Sequence, residues 1–374
     1  MFFECASLED ALSKLAAIPR QADEALLVLV AEQGAPDLGL LVAGLRERGC
    51  RFFGGLFPGL TDGRTKRNSG IVALPLRVLA EPCVVAELSA SFELPPALSA
   101  AVAGAAPDRK PTALVFVDGL SEGIAPLLHR MYDDLGNSVA YIGGGAGSLS
   151  LRQAPCVFCA DGVFADAAVV AISPLACSLG VRHGWLPIAG PLVATRTQRN
   201  RVEQLNWETA FPVYCRIVEQ DSQRPFQRDR FFEFAREFPF GLFRDEQESV
   251  VRDPIQVDVD GALVCVGPVP ENSVLHILKG VPNRLVEAAA QAARDAARSL
   301  PGRALHSLLI DCISRAIFLG DRFEDELGAV RSALAASGAP APVGALTLGE
   351  ISCRGDGYLE FYNKTAVVGV LHDR

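Results

Sequence analysis

The sequence predicts an α/β protein in two domains, built from repeated strand–helix–strand–hairpin units whose sheets are covered by helices. Three observations carry that expectation. Three segments share one plan, and within each the apolar residues change from short β-branched runs to a 3.6-residue helical period. A polar and then aromatic-rich stretch separates the second copy from the third. Strands and helices that alternate in this way bury their apolar faces by layering helices on sheets.

Taken in order, copy one has a strand at 25–31, a helix at 37–48, a second strand ending in glycines at 50–55, and a last strand at 69–76. Copy two places the same elements at 112–117, 122–135, 139–147 (VAYIGGGAG) and 162–173. Copy three places them at 304–310, 322–336, 342–350 (PVGALTLGE) and 358–371. Glycines that recur at one place in all three copies point to backbone with positive φ more simply than to a cofactor loop. Between copies two and three lie the Arg-rich stretch 194–201 (ATRTQRNR) and the aromatic and charged segment 226–243. The domain boundary is placed there, near residue 220, giving domains 1–220 and 221–374. Residues 250–259 and 262–266 flank Asp260-Gly261 and read as a hairpin. Residues 285–299 read as an Ala-rich helix introduced by Pro282 and Asn283.

Composition narrows the function. Of 374 residues, 35 are basic and 44 acidic, giving a net charge of −9, and no basic run offers phosphates a footprint. Nucleic acid is therefore not an expected partner. No apolar stretch approaches the roughly 20 residues a membrane span needs, and the N-terminus lacks the basic region of a signal peptide. The ten cysteines follow no framework spacing, and Cys83, Cys265 and Cys312 sit inside apolar runs. This pattern suits reduced thiols and a cytoplasmic address.

Several motifs offer chemistry, each against a plainer reading. Gly119-Leu120-Ser121-Glu122-Gly123 matches the nucleophile elbow of a serine hydrolase, with Asp311 and His372 following in the order of that fold. It is also the strand-to-helix loop of copy two, where Ser121 is placed to cap the helix. Gly143–Gly147 lacks the Lys-Ser/Thr of a phosphate-binding loop. Cys156 and Cys159 form a C-x-x-C with no second pair to complete a zinc site. The five histidines, His129, His183, His276, His306 and His372, form no metal-ligand cluster. A single His in an apolar pocket can nonetheless ligate haem iron, and His183 (RHGWLP) and His276 (VLHILKG) have the most suitable surroundings. In copy three Cys312 and Arg315 follow the first strand, Glu350 ends the glycine-rich strand, and Asn363 and Thr365 lie in the last hairpin. An Arg and a Glu converging at one mouth suit a carboxylate-bearing or zwitterionic ligand; a structural ion pair is the plainer alternative.

These residues resemble the FIST family, a sensory module of bacterial signal transduction with N- and C-terminal halves. In the N-terminal half the resemblance rests on GGGAG, DGVFADAAVVAI, HGWLPIAGPLVAT and VEQLNWETA. In the C-terminal half it rests on DCISR, LGDRFEDEL, LTLGEIS and FYNKTAVV. The family's C-x-x-R, G-E-I and N-x-T features fall at Cys312 and Arg315, Gly349 to Ile351, and Asn363 to Thr365. The resemblance implies a sensor and not an enzyme, with amino acids and related small molecules as ligands. The output modules often fused to the family are absent, which implies a separate signalling partner. Stand-alone proteins of this kind resemble the haem-based nitric-oxide-sensing branch, which acts on a histidine kinase or on cyclic di-GMP signalling. Three expectations follow: a haem sensor using His183 or His276, a sensor of an amino acid or small carboxylate using Arg315, Glu350 and Asn363, and a serine esterase using Ser121.

Overall fold

The computed structural model describes every residue except 107–109, 245, 246, 299, 354–356 and 374. The three copies are present as mixed sheets, and each follows one scheme. A lead strand pairs in parallel with a second strand across a helical crossover and antiparallel with a return strand. The lead strands are Glu24–Ala31, Thr112–Asp118 and Ala304–Cys312. Their second strands are Phe52–Phe57, Ala140–Ala146 and Val343–Thr347, and their return strands are Ile71–Arg77, Ala168–Ser173 and Ala366–His372. All three sheets have six strands in one equivalent order, with an added strand outside the return strand and a hairpin outside the second strand.

The hairpin never comes from the copy whose sheet it completes. The copy-one hairpin, Gly59–Asp62 with Thr65–Arg67, pairs with the second strand of copy three. The copy-three hairpin, Glu350–Cys353 with Leu359–Tyr362, pairs with the second strand of copy two, Ile351 opposite Gly143. The copy-two hairpin, Val157–Cys159 with Gly162–Phe164, pairs with the second strand of copy one, Val157 opposite Gly55. The exchange is a closed cycle. It is invisible to a reading of each copy alone, because hairpin and host strand are joined only in three dimensions.

Strand alternation sets the layers. Leu27, Leu29, Leu114, Phe116, Leu308 and Ile310 share one central core, so the inner faces of the three sheets pack together. The alternate residues face outward onto helices: Leu26 and Val28 onto Leu8–Ala16 and Leu38–Glu47, Val115 and Val117 onto Ile124–Leu135, and Leu309 onto Pro282–Ala297 and Phe323–Ala336.

One sequence expectation changes. The recurrent glycines of the second strands, Gly54, Gly143 and Gly344, do not have positive φ. A Cβ at each would land on the carbonyl oxygen of the lead strand, at Val28, Val115 and Leu309 respectively, so crowding selects glycine. Positive φ is confined to the turns beyond, at Gly147 (+142°) and Gly349 (+115°). The Arg-rich stretch 194–201 lies within the folded structure. It belongs to strands Leu186–Gln198 and Arg201–Leu205, whose mutual pairing closes a barrel with Leu263–Val266, Gln247–Val257, Phe240–Arg244 and Val274–Lys279. Tyr214, Phe226, Phe231, Phe234 and Phe240 pack together at this barrel, with ring centroids as close as 4.5 Å. The expected hairpin around Gly261 is part of the barrel. The Ala-rich helix runs Pro282–Ala297, and the Ser299 assigned to it lies outside the described residues.

Candidate functional site

Copy three ends its lead strand in a buried group of charges. Cys312 leads into a short helix, Ile313–Leu319, and one turn along it Arg315 is fully buried. Its guanidinium meets both carboxylate oxygens of Glu326, at 3.1 and 2.6 Å, and lies 3.2 Å from Asp311. It also donates to the carbonyls of His183 (2.5 Å), Lys364 (3.1 Å) and Leu285 (3.0 Å). Burial works against its charge, but Glu326 and Asp311 outweigh burial and push its pKa upward. This guanidinium ties separate segments together, and its ion-pair partners are Glu326 and Asp311 where the sequence suggested Glu350.

Glu350 opens the exchanged hairpin and is also fully buried. Its two oxygens accept from the Thr347 hydroxyl (2.9 Å) and the Thr365 amide (3.1 Å), and the Cys312 thiol lies beside it as a further donor. Burial raises its pKa to about 8 even though Thr347, Thr365, Cys312 and Arg315 favour the charged form. Burial, and then Glu326, hold the Asp311 carboxyl well above the usual range. Burial and Glu350 likewise push the Cys312 thiol up, leaving a weak nucleophile. Asn363 is 2% exposed, and its Oδ1 has no hydrogen-bond partner among the described residues.

Three members of the group were missed in the sequence: Glu326, Lys364 and Asp253. Lys364 is fully buried, with left-handed backbone (φ +53°); its ammonium bonds Asp253 (3.1 Å) and the Arg236 carbonyl (3.0 Å) and lies 4.8 Å from the Trp185 ring centre. Asp253 also accepts from Ser314. The available signal was a lysine and an aspartate set inside apolar runs.

An open cleft of about 230 Å³ lies nearby, lined by Leu179, Gly180, Val181, Arg182, Asp295, Arg298 and Cys353. Strand Ala176–Arg182 forms one wall and helix Pro282–Ala297 the other. A Cβ at Gly180 would strike the Ala292 carbonyl, so this glycine sets how close the helix comes. Arg182 and Arg298 both bond Asp295, at 2.7 and 2.9 Å, and Gln291 bonds it at 2.8 Å. Burial works to raise the Asp295 pKa, but Arg182, Gln291 and Arg298 outweigh it and hold the carboxyl below the usual range.

Residues 24–208 match the family model of the FIST N domain, and residues 210–353 match that of the FIST C domain. The chain belongs to the FIST family. FIST domains are sensor domains of signal transduction. No curated protein matches the chain. The cleft takes its strand wall from the FIST N part and its helix wall from the FIST C part. The exchanged hairpin begins within FIST C and completes a FIST N sheet, so the two parts interlock.

The two histidines proposed for haem both lie away from this cleft. His183 is 4% exposed; its Nδ1 accepts from the Trp185 amide at 2.9 Å and lies 3.4 Å from Glu248. His276 is half-buried on a barrel strand, its ring 6.3 Å from that of Phe243. Neither lines the cleft, whose volume falls below the roughly 300–1,000 Å³ of pockets for drug-sized ligands. Among the described residues no cluster of metal-ligating side chains occurs, and no helix is long and apolar enough to cross a membrane.

The elbow residues are not assembled for hydrolysis either. Ser121 Oγ donates to Asp166 (2.6 Å) and accepts from the Gly123 amide at the start of helix Ile124–Leu135. His372 Nε2 faces Ser178 (3.2 Å), while Asp311 faces Arg315. Burial raises the thiols of both Cys156 and Cys159, the latter to about 11.

Proposed function

We propose that this FIST protein is a sensor of an amino acid or another small carboxylate, bound in the cleft between strand Ala176–Arg182 and helix Pro282–Ala297, that reports to a separate signalling partner. One observation supports the reading above the rest: two arginines, Arg182 and Arg298, converge on this junction cleft. Arg298 is largely exposed and Arg182 is partly so, leaving guanidinium donors beyond those held by Asp295. A planar guanidinium pairs with a carboxylate through two parallel bonds. Asp295 in turn suits an ammonium group, so a zwitterion can satisfy both signs. Since the walls belong to different family domains, a ligand there biases how the two parts fit, by as much as its affinity differs between the two arrangements.

A thermal-shift screen of amino acids and dicarboxylates tests the reading. A ligand present at about 100 times its Kd adds about 2.7 kcal/mol of stability. The rise in Tm is expected to vanish in Arg298→Ala and Arg182→Ala and to survive in Ser121→Ala. No rise with any member of the screen, or a rise indifferent to both arginines, sinks it. Haem reconstitution run beside the screen is expected to yield no stoichiometric Soret band that depends on His183 or His276.

A further inference from the structure

We propose that Glu350 is a proton-operated catch on the interlock between the two halves: with its proton on, the exchanged hairpin is held in the FIST N sheet, and loss of that proton loosens it. This does not depend on what the cleft binds. The argument begins with place. Glu350 is the first residue of the hairpin and sits opposite Gly144, with Ile351 opposite Gly143 and Ser352 opposite Ile142. Its side chain turns back into copy three, where its oxygens meet the end of the second strand (Thr347) and the loop before the return strand (Thr365). One carboxyl therefore spans the point where the chain leaves one sheet to complete another.

Charge gives that place its sensitivity. The lead strand presents Asp311 and Cys312, the short helix Arg315, and helix Phe323–Ala336 presents Glu326. The loop before the return strand presents Lys364, which is itself held by Asp253 on a barrel strand. Glu350's neighbour across the hairpin is Tyr362, and the host strand faces it with glycine backbone, which has no charge to offer. Four carboxyls, those of Asp253, Asp311, Glu326 and Glu350, thus stand against two cations, Arg315 and Lys364. Complete ionisation would leave two negative charges uncompensated in a dry interior, a heavy desolvation cost. Burial raises the carboxyls of Asp253, Asp311 and Glu350, and the value of about 8 for Glu350 puts its proton within reach of ordinary changes in pH. An ionised Glu350 draws in water or moves outward, and either response pulls on the pairing with Gly143 and Gly144.

Amide hydrogen exchange in the full-length protein, compared with Glu350→Gln at each pH, tests the catch, because the intrinsic pH dependence of exchange cancels in the ratio. Amides of 142–144 and 350–352 are expected to exchange alike in the two proteins below about pH 4.5, where Glu350 keeps its proton whether the hairpin is held or loose. As pH climbs from there to about 8 they are expected to become several-fold faster in the wild type alone, and to level off above it. A ratio that stays constant with pH overturns the proposal. Should Glu350→Gln fail to fold, Cys312→Ala decides. It removes a donor that favours the ionised form, so the wild-type transition should move to higher pH, and an unmoved transition overturns the proposal equally.

Discussion

Arg315 shows what a single buried side chain can be asked to hold. With Glu326, Asp311 and three carbonyls around it, its truncation leaves acids and acceptors unanswered in the interior. Arg315→Ala is expected to cost about 3–5 kcal/mol, read by urea denaturation. A ligand-binding arginine would lose affinity at little cost in stability. Glu350 behaves in the opposite sense. Its pKa rises from an ordinary 4.5 to about 8 on folding, so the folded state binds the extra proton between these values. Stability is therefore expected to fall as pH climbs through that window and to level off above it, and Glu350→Gln to flatten this dependence. Denaturation midpoints at a series of pH values check both. Cys312, Arg315 and Glu350, named from the sequence at strand ends of one copy, do lie side by side. The sequence could not tell a mouth from an interior. Burial depends on what covers those ends, and the cover comes from helix Pro282–Ala297, the His183 loop and the barrel.

At the scale of elements, the repeat was legible because each copy writes its own alternation of strand and helix. The barrel was not, since Arg196 and Glu203 pair across an exposed strand hairpin whose polar face hides the alternation. The glycines were visible while their reason was not: crowding by a neighbouring strand is a property of the pair. That distinction can be measured. Gly143→Ala drives a methyl into the Val115 carbonyl and is expected to cost at least about 3 kcal/mol, with Gly344→Ala similar. Gly34→Ala has open space and only a left-handed backbone (φ +69°) to strain, so roughly 1–2 kcal/mol is expected. Thermal denaturation of the three variants ranks them; equal losses would show that crowding is not what selects these glycines.

For the molecule as a whole, three of the four sheets draw strands from both sides of residue 209, between the two family domains. Segments 1–209 and 210–374 expressed apart are each expected to be insoluble or unfolded, and to be recovered as a folded pair when co-expressed. Circular dichroism and size-exclusion chromatography of the separate and mixed segments check this; a stable, monomeric N-terminal segment would contradict it. The cyclic exchange of hairpins has a consequence for ancestry as well. A recombination that transplanted either part onto another protein would carry off strands its former neighbour needs and arrive lacking strands of its own. The two parts are therefore expected to be inherited as one cassette, with new output modules added where they divide no shared sheet.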